Sequence, residues 1–127
     1  MNLTPQQLVS EAKAQITEID VVLAAKHINA GSIVIDVRES SEFEVAHVLN
    51  AVNIARGVIE FKTSNHPALA NRNAEILLYC KTGGRSALAA LSLKRLGYTN
   101  ILSMTGGFEA WEKHHQSIVR DISDFGG

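Results

Sequence analysis

The chain has 127 residues, with 12 Lys+Arg against 13 Asp+Glu and a net charge of −1 with histidines neutral, so no single-sign field points to nucleic acid or an anionic membrane. At 46% hydrophobic and 20% charged, its composition is that of an ordinary soluble domain, and its length is close to the commonest single-domain size. The longest wholly apolar stretches, Val21 to Ala25 and Ala87 to Leu91, fall far short of the roughly 18–20 residues that span a bilayer.

The N-terminal Met1-Asn2-Leu3-Thr4-Pro5-Gln6-Gln7 has neither the basic nor the apolar region of a secretory signal, and neither end carries a lipidation pattern, which favours a cytoplasmic location. Thr4, Pro5 and Gln7 have the spacing of a capping box with proline at the first helical position. Leu8, Ala12 and Ile16 follow at helical intervals, so residues 5 to about 15 are expected to form a helix. Asp20 can cap a second helix, whose apolar residues Val21, Val22, Leu23, Ala25 and Ile28 run to Gly31. Ile33 to Val37 and Glu75 to Tyr79 read as strands buried on both faces, with Ala51 to Ile54 and Asn100 to Ser103 as weaker strands. From Gly84 to Leu96 the pattern is a helix apolar nearly all round, which Gly97 ends. Strands alternating with helices predict an α/β domain with a mainly parallel central sheet and helices on both faces. Such a sheet opens its crevice at the carboxyl ends of the strands.

Cys80 stands at such an end. A single cysteine forms no internal disulfide, CxxC pair or structural zinc site, so it is a core thiol, an intermolecular thiol or a nucleophile. The segment Cys80-Lys81-Thr82-Gly83-Gly84-Arg85-Ser86 must turn sharply between a buried strand and a buried helix, and the glycines permit that turn. Loop amides and a helix N-terminus make a concave anion site, to which Lys81 and Arg85 add cations. A core thiol gives no reason for two glycines and two cations in the next five residues. The pattern favours a nucleophilic thiolate that needs no histidine base.

The sequence resembles the rhodanese homology domains, in four ordered segments covering most of the chain. These are Ile35-Asp36-Val37-Arg38-Glu39; Phe43 and His47 followed by Ala51 to Gly57 and Glu60-Phe61; Tyr79-Cys80 through Arg85-Ser86; and Gly106-Gly107-Phe108-Glu109-Ala110-Trp111. The resemblance implies a rhodanese-like domain over residues 16–115, with residues 1–15 as a helical extension and 116–127 as a tail. It implies that Cys80 carries a sulfane sulfur as a persulfide, that the backbone from Lys81 through Thr82, Gly83 and Gly84 to Arg85 cradles it, and that Arg85 closes the loop. Asp36, Arg38, His47 and Arg56 would be structural supports. The donor would be a small sulfur anion such as thiosulfate and the acceptor cyanide, a thiol or a protein, with no metal and no organic cofactor. Asn50 and Ala55 stand where many relatives have glycine and proline, which leaves the local turns there open.

Two rival readings keep the fold and change the function. Cysteine-dependent phosphatases look like Cys, five intervening residues and Arg, whereas Cys80 and Arg85 leave four, a smaller bowl than a phosphate needs. A non-catalytic interaction module would not require the retained Cys80. A Cys–His protease pair finds no recognisable context among the five histidines; His27 and His66 read as surface residues, and the adjacent His114 and His115 point apart on a helix. Trp111 and Phe108 read as core contacts, and Lys94-Arg95 as a solvated helix end. In the tail, Ile118, Val119, Ile122 and Phe125 have the spacing of one helix face. Both terminal segments are expected to pack on the domain or, alternatively, on a second copy in a homodimer.

Overall fold

The computed structural model describes residues 2–120. Helix α1 (Pro5–Lys13) begins at the expected capping box, with Thr4 accepting from the Gln7 amide and the Gln7 side chain accepting from the Thr4 amide. It ends two residues earlier than the apolar spacing suggested, because Ile16 leaves the helix to join the core beside strand β1 (Thr17–Ile19). Leu8, expected on the inner face, is exposed, and Ala12 is the residue of α1 that is fully buried. Asp20 caps helix α2 (Val21–Asn29) by accepting from the Leu23 amide at 2.9 Å. Strand β2 (Ile33–Asp36) follows, then helix α3 (Ser40–Val45), strand β3 (Ala46–Val48), the two-residue strand β4 (Val52–Asn53) and the short helix α4 (Ile59–Lys62).

A single turn of 3₁₀ helix at Pro67–Leu69 leads to strand β5 (Ile76–Tyr79), helix α5 (Gly84–Arg95), strand β6 (Ile101–Met104), helix α6 (Gly107–Lys113) and strand β7 (Ile118–Arg120). Five strands form one wholly parallel sheet in the order β1-β6-β5-β2-β4, with β5 at its centre. Side-chain alternation along β5 splits the core in two. Leu77 and Tyr79 pack with Phe108 and Trp111 of α6 and Val21 and Ala24 of α2, while Ile76, Leu78 and Cys80 pack with Ala89, Ala90 and Leu93 of α5 and Ile59 of α4. The expected helices on both faces are therefore present. Helix α1 lies on the outer side of α5, which explains why α5 is apolar nearly all round: it is covered by the sheet on one side and by α1 on another.

The tail departs from expectation. Ile118 to Arg120 form a strand, antiparallel to β3 with His47 opposite Val119, where helical spacing had suggested a helix. Three residues are too few to separate the two periods, and the partner strand lies some seventy positions away in sequence. Ile122 and Phe125 lie outside the described residues. Over the described residues, both terminal segments pack on their own domain, α1 on α5 and β7 on β3. Asn50 takes the left-handed backbone that a glycine would otherwise supply, at φ 70°. Among the described residues no helix is long and apolar enough to cross a membrane.

Candidate active site

The central strand β5 delivers Cys80 to the carboxyl edge of the sheet, where its thiol continues the side-chain alternation toward α5 and is 1% exposed. The chain then reverses through exposed Lys81 and Thr82 to buried Gly83, at φ +116°, a conformation that costs a side-chain-bearing residue dearly. That turn aims the Gly83 N–H at the Cys80 Sγ, 3.1 Å away, and starts α5 one residue later.

The loop is held from behind by its carbonyls. At the start of α6, the Phe108 N–H donates to the Cys80 carbonyl at 2.8 Å and the Glu109 N–H to the Lys81 carbonyl at 3.2 Å. Carbonyls fixed toward α6 leave successive amides free to face the other way, the arrangement of an anion-binding nest. Gly107 makes the approach possible: a Cβ there would stand 2.5 Å from the Cys80 and Lys81 backbone, and φ is +56°. On the sheet side, the Cys80 thiol lies 3.7 Å from the Ser86 hydroxyl, which donates to the Gly83 carbonyl at 3.2 Å and accepts from the Ser103 hydroxyl at 2.9 Å. Both serines are fully buried. Sequence reading missed this pair; its signal was a serine ahead of the apolar run Ala87 to Leu91 in α5 and a serine inside the otherwise apolar strand β6.

Arg85 does not extend into open space as a free cation. Its guanidinium makes a two-pronged pair with Glu42 of α3, at 2.7 and 3.0 Å, and so ties the start of α5 to α3. Glu42 was not anticipated, since it lies 43 positions away in sequence. The Arg85 hydrogen bonds hold the Glu42 carboxyl down to about 2 from its usual 4.5. A carboxyl depressed in the folded state adds stability above its unfolded value of 4.5, and that contribution is lost as the pH falls toward about 2. We therefore expect thermal stability to fall more steeply between pH 4.5 and 2 in the wild-type chain than in Glu42→Gln, as read by melting curves; parallel profiles would contradict the pairing.

The remaining predicted supports make their contacts at the end of β2 and in α3, β3 and α4. Asp36, fully buried at the end of β2, accepts from the Arg38 backbone at 2.9 Å and from its guanidinium at 2.8 to 3.1 Å. Arg38 also donates to the Ala46 carbonyl at 2.6 Å and lies over the Phe108 ring, 4.6 Å from its centre. Burial, helped by the neighbouring Asp36, pushes the Tyr79 phenol far above its ordinary range; it stays neutral and accepts from the Val48 amide at 3.0 Å. His47 stacks on Phe43 and its Nδ1 donates to the Phe43 carbonyl at 2.8 Å. Arg56 pairs with Glu60 at 2.8 Å, and its backbone N–H donates to the Val37 carbonyl at 3.0 Å, which fixes the segment beyond β4 against the end of β2.

Comparison with known proteins places the fold. Residues 20–114 match the model of the rhodanese-like domain. The chain belongs to the rhodanese-like domain family. It is 32% identical over 104 residues to the Bacillus subtilis protein named putative sulfur carrier protein YrkF, a match covering 80% of this chain and 54% of that one. It is 30% identical over 83 residues to the Coxiella burnetii thiosulfate sulfurtransferase GlpE, covering 65% of this chain and 74% of that one. The chain thus spans about half the length of the first relative and three quarters of the second. A solved Rhodopseudomonas palustris structure, described as a protein of unknown function and possible tyrosine phosphatase, superposes with a TM-score of 0.81 at 24% identity. That match covers 94% of this chain and 96% of the other, and it speaks to the fold alone. Sulfur transfer in general is the chemistry that the rhodanese-like family and these relatives' names support.

Proposed function

We propose that the chain is a sulfurtransferase in which Cys80 takes a sulfane sulfur from thiosulfate or another persulfide donor and passes it to a thiophilic acceptor. The observation that carries the reading is the Gly83 N–H aimed at Sγ from 3.1 Å within a loop whose carbonyls are anchored on α6. Amides preorganised in this way stabilise negative charge on the attacking thiolate and, after transfer, on the persulfide. Thiolate Cys80 attacks the outer sulfur of thiosulfate; a new S–S bond forms, the S–S bond of the donor breaks, and sulfite leaves with the electron pair. An acceptor nucleophile then attacks the outer sulfur of the persulfide, and Cys80 returns as thiolate. Each half-reaction exchanges one bond to sulfur for another and needs no external oxidant, metal or organic cofactor.

The phosphatase alternative asks for a guanidinium free to clasp phosphoryl oxygens in a wider loop. Here four residues separate Cys80 from Arg85, and Arg85 is engaged by Glu42 on both prongs. Steady-state kinetics with thiosulfate and cyanide distinguish the readings. Parallel double-reciprocal lines with no turnover of p-nitrophenyl phosphate are expected; phosphate release without sulfite formation would overturn the proposal.

A further inference from the structure

On the face of the sheet that α5 covers, the thiol meets two hydroxyls. Cys80, Ser86 of α5 and Ser103 of β6 are each at most 1% exposed, so their polar atoms must be served by one another. Helical geometry accounts for part of the arrangement: a serine near a helix start can donate to the carbonyl three residues back, as Ser86 does to Gly83 at 3.2 Å. It does not account for Ser103. That hydroxyl sits between Leu102 and Met104 in an otherwise apolar strand and donates to the Ser86 oxygen at 2.9 Å.

With Cys80 protonated, its S–H donates to the Ser86 oxygen across 3.7 Å, so Ser86 accepts two hydrogen bonds and gives one. With Cys80 ionised that S–H is gone, and the Ser86 O–H is free to turn from the Gly83 carbonyl to Sγ. The Gly83 carbonyl is not orphaned, because the Ala87 N–H also donates to it, at 3.2 Å. Ser103 keeps donating in both positions and polarises the hydroxyl it feeds. We infer that Ser86 is the side-chain donor to the Cys80 sulfur as it leaves the persulfide, with Ser103 as the positioning residue behind it. The inference rests on the sulfur-transfer reading. In the persulfide the negative charge lies on the outer sulfur. As the acceptor attacks that sulfur a new bond to it forms, the S–S bond to Cys80 breaks, and the electron pair comes to rest on Sγ. The turned hydroxyl meets charge that develops in this step, whereas during sulfur uptake the charge departs from Sγ. The serine pair therefore assists discharge and not loading.

Rapid-quench intact mass of the full chain separates the two half-reactions, loading of Cys80 by thiosulfate and discharge of the preloaded chain by cyanide. In alkaline buffer, which keeps Cys80 ionised, Ser86→Ala should slow discharge about tenfold, the low end for a hydrogen bond to a charged group. Loading should not slow, since a less stabilised thiolate is the better nucleophile. Ser86→Ala/Ser103→Ala leaves neither hydroxyl unpaired in the core, so it should melt close to the wild type and still show the discharge defect. Ser103→Ala alone, which keeps the Ser86 donor, should show a smaller one. Equal slowing of both half-reactions would make the serines supports of the loop, and unchanged discharge would make them packing; either result overturns the inference while sulfur uptake by Cys80 stands. A wild-type chain that takes up no sulfur would instead overturn the sulfur-transfer reading itself.

Discussion

Gly107→Ala is expected to cost about 3 kcal/mol of stability and about a hundredfold in sulfur-transfer rate. The added methyl would meet the Cys80 and Lys81 backbone at 2.5 Å, and none of those atoms is the end of a flexible side chain that could swing away. Relief requires α6 and the loop to separate, which weakens the bonds from the Phe108 and Glu109 amides to the Cys80 and Lys81 carbonyls. Overpacking costs about 1–3 kcal/mol and left-handed backbone adds about 1–2 for a residue with a Cβ. A loop displaced by about 1 Å loses the aim of its amides, a change worth about a hundredfold in rate. The check is a melting curve together with kcat. A variant that melts like the wild type and turns over normally would show that the α6 contact does not set the loop.

Asp36→Ala should destabilise the fold by about 3–5 kcal/mol, because it leaves the Arg38 guanidinium buried at 5% exposure without its counter-charge. The Ala46 carbonyl and the Phe108 ring remain beside Arg38, but neither neutralises it. Removing both charges in Asp36→Ala/Arg38→Met should restore part of the loss, since the penalty belongs mostly to the orphaned charge. Chemical denaturation of the two single variants and the double variant measures this. A double variant as unstable as the sum of the singles would mean that each residue supports the fold separately.

Much of this architecture can be read from local chemistry. The capping residues Thr4 and Asp20, the β-branched run into Asp36 and the apolar run into Tyr79 each mark an element whose cause lies within a few residues. The same holds for the Cys80 loop, where Gly83 supplies a left-handed turn that its position between strand and helix demands. The elements left unread depend on distant partners. Strands β1, β3 and β7 are three residues each, too short for a period to appear, and are specified by β6 and by one another. The Arg85 charge looked free because Glu42 is brought to it only by folding, and the buried Ser86 and Ser103 meet only when α5 settles on β6. A sequence shows which groups are present near the thiol, and the fold decides which of them are already engaged.

The central claim is that Cys80 carries sulfur covalently. Intact mass of the full chain after incubation with thiosulfate should rise by one sulfur atom, about 32 Da, and return to its starting value on adding cyanide, while Cys80→Ser gains nothing. An unmodified Cys80, or a gain that persists in Cys80→Ser, would contradict the account.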